Sequence, residues 1–331
     1  MAAENDIEIL IPPTLDAARL EPDPNGHLLH LKGDTMGTSW TATLVIGESG
    51  DPSSLQPAIE DGFREIIRQM SQWERDSELS RFNRAPAGEW IEISPQFVTV
   101  LSMALIIAKA SDGVFDPAIG HLTDLWGFGA DSRISAWPDR ENIRSRQRFN
   151  WRDISLDRDN RRLFQPGGLA IDLAAIAKGF AVDHTIAVLE AQNIKHALVE
   201  IGGELRAIGV KPDGQPWWVD IDTVGDHLPS RIALSGWSVA TSGNNLRRRS
   251  FGDKSWSHSI SPSTGQPLAE SVSAVTVLHP GCMQADALAT AIMVKGIDEG
   301  LRFADRHRIA AQIVAEGEVY ASPKWTEYCE G

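Results

Sequence analysis

The segment Ser273-Ala274-Val275-Thr276-Val277-Leu278, followed after a short break by Ala285-Asp286-Ala287-Leu288-Ala289-Thr290, sets a strand-like run against a helical one. The first is rich in β-branched residues, and the second is built from good helix formers. On a helix, side chains four residues apart share a face, so Asp286 and Thr290 aim a carboxylate and a hydroxyl at one spot. A hard cation such as Mg²⁺ needs little more, because it takes one or two carboxylates and completes its shell with waters and phosphate oxygens. Taken alone, the pair also fits a solvated helix face.

Working outward, strands and helices interleave irregularly. Apolar residues at Leu55, Ile59, Phe63, Ile66, Ile67 and Met70 predict an amphipathic helix within Pro52 to Arg75. Ser94-Pro95 opens a second helix that ends near Gly113. A third covers Asp172 to Gln192 after its first residues, and the polar stretch Ala130 to Arg148 reads as a surface excursion with a short helix. Strand-like runs fall at Trp40 to Ile46, Arg162 to Phe164, His196 to Ile201, Glu204 to Val210 and Trp217 to Thr223. Others fall at Arg231 to Leu234, Ser238 to Ala240, Ser273 to Leu278 and Ile309 to Ala315. Hairpin-like strand pairs among irregular helices predict an α+β fold rather than a doubly wound sheet. No GxGxxG passes from a strand into a helix, so a Rossmann dinucleotide site is not supported. Residues 1–30, with Pro12-Pro13, Pro22 and Pro24, read as an N-terminal arm ahead of one domain over 31–331.

The net charge of −14 over 331 residues argues against nucleic-acid or anionic-membrane partners. Arg247-Arg248-Arg249 is the local exception, either a solvated loop or a contact for phosphate or a protein. Cys282 and Cys329 form neither a disulfide framework nor a CxxC pattern, which turns the chemistry away from zinc and thiols. No basic start followed by a long apolar stretch occurs in Met1 to Leu31, so a cytoplasmic, unanchored protein is expected, or a periplasmic one if a leader is missing from the given chain.

Several segments combine glycine, an aromatic and an acid in ways that packing does not require. They are Asp34 to Trp40, Met70 to Asn83, Gly113 to Gly120 running on to Gly129, Ile171 to Asp183, Glu200 to Glu204, Ala240 to Asn244 and His258 to Gly265, closed by the Asp286/Thr290 helix. In this order the series resembles the ApbE family, the FAD:protein FMN transferases, from about Leu31 to about Gly296. The resemblance implies a T-fold-like core of mostly antiparallel sheets and packed helices, with a cleft for FAD between subdomains. It implies Mg²⁺-dependent transfer of FMN from FAD to a threonine or serine hydroxyl of an acceptor flavoprotein, with release of AMP. By carry-over, the Mg²⁺ ligands are Asp286, Thr290 and the backbone carbonyl of Ala175, while the FAD contacts are Met36, Trp73, Val114, Phe115, Asp116, Asp172, Lys178 and Ile260.

Trp73 and Phe115 can stack on flat rings, and Asp116 and Asp172 can accept hydrogen bonds from ring or ribose donors. His258, in a His-x-Ile-x-Pro pattern, is the candidate general base, since a hydroxyl is a poor nucleophile until its proton is taken. Its loop departs from the family pattern, which carries Asp before Pro and Arg before Thr-Gly; here Ser261 and Ser263 stand there. The acceptor motif Asp-(Gly/Ala)-x-(Ser/Thr)-Gly-Ala-(Ser/Thr) is absent, so a separate acceptor protein is implied. FAD pyrophosphatase activity and non-catalytic FAD binding or delivery remain alternatives.

Overall fold

A computed structural model describes residues 7–14, 16–47, 52–130, 134, 136–221, 229–244, 247–269 and 271–329. Its centre is an eight-stranded sheet. In spatial order the strands are Glu318–Ala321, Ala310–Ala315, Val272–His279, Ser238–Gly243, Glu204–Ile208, Ala197–Ile201, Thr38–Ile46 and His27–Thr35. Every neighbouring pair is antiparallel. The strands alternate as a two-faced sheet requires: Leu44 and Ile46 turn toward the helices, whereas Val45 turns to the other face. The architecture is thus α+β with mostly antiparallel sheets.

The helix-bearing face is covered by Leu55–Met70, Pro95–Ala110, Ala177–Ala191 and Cys282–Arg306. The first packs Leu55, Ile59, Phe63 and Ile66 against Ala181, Val182, Ile186 and Leu189 of the third, over Trp40, Ala42 and Val199 of the sheet. It stops at Met70 rather than near Arg75, because the Ser71 hydroxyl takes the N–H groups of Trp73 and Glu74 and turns the chain. Ser94 caps the second, its hydroxyl accepting from Phe97 N–H at 3.3 Å. Cys282–Arg306 is broken at Gly296, whose φ of 77° and ψ of −172° are tolerable without a side chain. Asp286 and Thr290 both precede the break.

The opposite face carries a three-stranded sheet in the order Glu8–Leu10, Ser230–Leu234, Trp217–Ile221, together with the helix Pro323–Cys329. Part of the stretch read as an arm is therefore docked: Glu8–Leu10 pairs in parallel with Ser230–Leu234, and Leu10 is fully buried among Trp217, Trp237 and Trp325. The Glu8 carboxylate accepts from the Ser230 hydroxyl at 2.8 Å. Residues 1–6, and the end of the strand read to Thr223, lie outside the described residues. Among the described residues no helix is long and apolar enough to cross a membrane.

Candidate active site

The site grows from a crossing of two helices. Ala177–Ala191 and Cys282–Arg306 begin side by side, and each start is capped by an aspartate from the other. Asp286 Oδ2 accepts the N–H of Gly179 at 3.0 Å, while the Asp183 carboxylate accepts those of Cys282 at 3.0 Å and Met283 at 2.9 Å. A helix start exposes unpaired N–H groups and the positive end of the helix dipole, so a carboxylate is favoured at both places. Glycine is required at position 179. An added Cβ would lie 2.8 Å from Asp286 Cβ and closer still to the Cys282 carbonyl oxygen.

In an uninterrupted helix the Gly179 N–H would bond the carbonyl of Ala175. Here Asp286 takes it, and among the described residues no hydrogen bond ends on the Ala175 carbonyl, which sits in the turn leading into that helix. One turn beyond Asp286, the Thr290 hydroxyl meets Ser242 Oγ at 3.1 Å, at the end of a central strand. Asp286 is only 5% exposed.

Two buried carboxyl groups, Glu204 and Asp286, lie close to one ammonium, Lys178, at this crossing. Lys178 forms an ion pair with Glu204, which follows the Gly202-Gly203 turn between two central strands. Burial works against the Lys178 charge, but the carboxylates of Glu204 and Asp286 outweigh it and hold its pKa above the ordinary lysine value. Burial, reinforced by Asp286, pushes Glu204 up to about 8, and burial raises Asp286 as well. Among the described residues Glu204 Oε2 is buried without a hydrogen-bond partner. A cation bound beside these two carboxyl groups would favour their ionised forms. The donor set of one carboxylate, one hydroxyl and one carbonyl, all oxygen, fits Mg²⁺ with open positions for phosphate oxygens. Among the described residues no group of three His, Cys, Asp or Glu side chains is placed to hold a metal ion, so hydroxyl and carbonyl oxygens would have to complete the donor set.

His258 follows the two-stranded hairpin Arg248–Phe251 and Lys254–Ser257, and its N–H donates to the Arg247 carbonyl at 3.2 Å. Its ring stands edge-on to Phe128, with Nδ1 buried and without a hydrogen-bond partner among the described residues. Burial, with the positive charges of Arg247 and Lys178, holds its pKa below the ordinary histidine value, so the ring is neutral near pH 7. In the loop that follows, the hydroxyls of Ser261 and Ser263 bond each other at 3.0 Å. Trp126 Nε1 pins the loop's end by donating to the Gly265 carbonyl at 2.7 Å. Ile260 is buried against Leu122, Trp126, Ile143 and Trp256.

A second group of expected residues is gathered by Asp172. Its N–H donates to the Pro117 carbonyl at 2.9 Å, just past Val114, Phe115 and Asp116, and the Gln72 side chain beside Trp73 bonds its carboxylate. The preceding residue, Ile171, is held on both sides by the Asn83 amide. Burial raises the Asp172 pKa against hydrogen bonds from Ala174, Thr123 and Gln72. Trp73 is 54% exposed, a ring face with no covering partner in the core. Phe115 differs: it is buried in the core, where a flat ligand cannot stack on it. Burial pushes Asp116 up to about 6. Asp116 lines a cavity of about 350 Å³ that reaches Arg146, Asn150, Pro262 and Ser263, and so joins this group to the His258 loop.

Met36 stands in a separate open hollow of about 400 Å³ formed by its own turn, Asp34 to Ser39. That turn is tied to the Glu204 end of the sheet, since the Gly202 N–H donates to the Ser39 carbonyl at 3.1 Å. Sequence reasoning gave no role to Glu204 or Asp183, and read Ser242-Gly243 only as a plain turn or a close approach of backbone to the cofactor. Glu204 and Asp183 lie inside segments singled out for their acids, so their type was visible and their partners were not.

The ApbE family model matches residues 36–313. An FAD:protein FMN transferase of Vibrio cholerae is 34% identical over 292 residues, covering 87% of each chain, and one of Haemophilus influenzae is 34% identical over 298 residues, covering 87% of this chain and 86% of its own. Among solved structures, the Pseudomonas stutzeri flavinyl transferase ApbE in its apo form superposes with a TM-score of 0.86 at 31% identity, covering 92% of this chain and 98% of that one. With the fold, the order of its segments and these similarities in agreement, the chain belongs to the ApbE family.

Proposed function

We propose that this flavin-transferring enzyme moves FMN from FAD onto a threonine or serine hydroxyl of a separate acceptor protein, releases AMP, and requires Mg²⁺. The observation that carries this reading is a neutral, buried His258 beside a helix crossing that holds the buried carboxyl group of Asp286. His258 takes the hydroxyl proton as the acceptor oxygen attacks the FMN phosphorus; the bond to the AMP phosphate breaks, and AMP leaves with the electron pair. Asp286, Thr290 and the Ala175 carbonyl would hold the Mg²⁺. When bound, the ion would neutralise charge on the pyrophosphate oxygens. Trp73 supplies a ring face for a flat portion of FAD, and Asp116 and Asp172 supply acceptors for its donors. Lys178, restrained by Glu204, carries its positive charge toward the same crossing.

The test incubates the chain with FAD, MgCl₂ and a protein domain bearing the acceptor motif named above, then reads intact mass and nucleotide products. An adduct of FMN mass with one AMP per adduct is expected. Free FMN with AMP and no adduct would make the chain a pyrophosphatase, and unchanged FAD would make it a binding protein; either overturns the proposal.

A further inference from the structure

The hairpin Arg248–Phe251 and Lys254–Ser257 is not used by the site described above. It forms a two-stranded sheet of its own, joined to no other strand among the described residues. All four residues of Arg248–Phe251 are exposed, including Phe251 at 40%. Lys254 is exposed at its tip, held over the ring of Trp137. Arg247, Arg248, Arg249 and Lys254 outweigh Asp253 at the turn and concentrate positive charge on a chain whose net charge is −14, with Arg249 Nε donating to the Gly127 carbonyl at 3.0 Å. The hairpin's base delivers His258 directly, since Arg248 lies opposite Ser257 and the His258 N–H bonds the Arg247 carbonyl.

We infer that the outer edge of Arg248–Phe251 is where the acceptor docks, as an extended, acidic segment that adds a strand to the hairpin and runs toward His258. An exposed strand with one neighbour offers a ladder of backbone groups, and β-addition uses such an edge for affinity while side chains set specificity. Opposite charge selects the partner: an acidic segment is repelled by most of this surface and attracted here, which favours one docking site over many. Phe251 adds an apolar anchor at the far end of the strand. This inference rests on the proposed transfer reaction, because it names the partner of that site.

The experiment uses the full chain and a fluorescein-labelled peptide rich in Asp and Glu around one threonine, with a twin in which every acid is its amide. Anisotropy at low salt should show the acidic peptide binding at least about tenfold tighter than its twin, with the difference fading as salt rises. Arg248→Glu combined with Lys254→Glu should remove the preference. Amide hydrogen exchange should slow across Arg248–Phe251 when the acidic peptide binds. Twins that bind alike, a preference that survives charge reversal, or an unprotected hairpin would each overturn the inference, as would equally tight binding of a short single-stranded DNA. An acidic preference in a chain that never forms an FMN adduct would refute the proposed function and leave the docking site standing. An adduct without the preference would do the reverse.

Discussion

Replacing Gly179 by alanine tests whether the helix crossing sets the geometry of catalysis. The new Cβ would meet Asp286 Cβ and the Cys282 carbonyl carbon at 2.8 Å each. Relaxed contacts between such atoms lie at roughly 3.5 Å or more, so the two helix starts must part by about 1 Å. Overpacking of this kind costs about 1–3 kcal/mol, of which the better helix propensity of alanine returns up to ~1 kcal/mol. Thermal unfolding should therefore fall by only a few degrees. Activity should suffer far more, because the parting separates Asp286 and Thr290 from the Ala175 turn, and misplacement by ~1 Å can cost about a hundredfold in rate. The assay is kcat for FMN transfer across a Mg²⁺ titration, beside FAD affinity and calorimetry. We expect kcat down about a hundredfold, a higher Mg²⁺ requirement and FAD affinity changed little. Gly62→Ala is the control, since the nearest atoms to its Cβ would be side-chain atoms, the His184 ring at 3.1 Å and Val188 Cγ2 at 3.9 Å, and side chains can yield. A Gly179→Ala enzyme with unaltered kcat and Mg²⁺ dependence would refute the reasoning, whatever its melting temperature.

Three further outcomes follow from the site. His258→Asn should slow transfer by about 10²–10⁴-fold with FAD affinity nearly intact, and the acid limb of kcat/KM in the parent should fall below the ordinary histidine value of about 6.5; a limb at or above that value would count against His258 as the base. Trp73→Ala should weaken FAD binding several-fold, measured by flavin fluorescence, yet leave stability within ~0.5 kcal/mol because the ring is 54% exposed. Glu204, raised from 4.5 to about 8, keeps its proton when folded and loses it when unfolded between those values. Its contribution is thus full below pH 4.5 and lost as pH rises toward 8, so urea unfolding in EDTA should show stability falling across that window by at most ~1.4 kcal/mol per pH unit. Glu204→Gln should flatten that slope, and an unchanged slope would show that another group carries it.

Much of the fold was legible because it is written in period and caps. The stripe Leu55, Ile59, Phe63, Ile66 marks a helix face that does pack on the sheet, and Ser94-Pro95 marks a helix start that does cap. What escaped are elements whose stability comes from elsewhere in the chain. Glu8–Leu10 is a three-residue strand before Pro12-Pro13, and it exists because Ser230–Leu234 and a set of buried tryptophans receive it. The hairpin after Arg247 has no buried face along Arg248–Phe251, so it shows none of the alternation by which strands are recognised. The site behaved likewise. Its segments could be picked out by residue type and order, but the bond from Gly179 to Asp286 joins residues far apart in sequence, and only the crossing of two helices creates it.

That crossing gives Asp286 two tasks that reinforce each other. As a cap, its Oδ2 is fixed by the Gly179 N–H, so the carboxylate is oriented before any cation arrives. As a buried acid with its pKa raised, it is costly to leave ionised without a positive partner. Lys178 lowers that cost, but it is also bonded to Glu204, which burial raises to about 8. Under the proposed function the remaining charge is left for the metal to satisfy, and Asp183 repeats the cap from the other side, so that the two helix starts hold each other in register. On that reading the site keeps its shape through its caps and its affinity through the Asp286 carboxylate. The two can be separated by mutation: Asp183→Asn should loosen the crossing and lower the melting temperature while Asp286 still binds Mg²⁺, whereas Asp286→Asn should keep the Gly179 hydrogen bond and lose the ion.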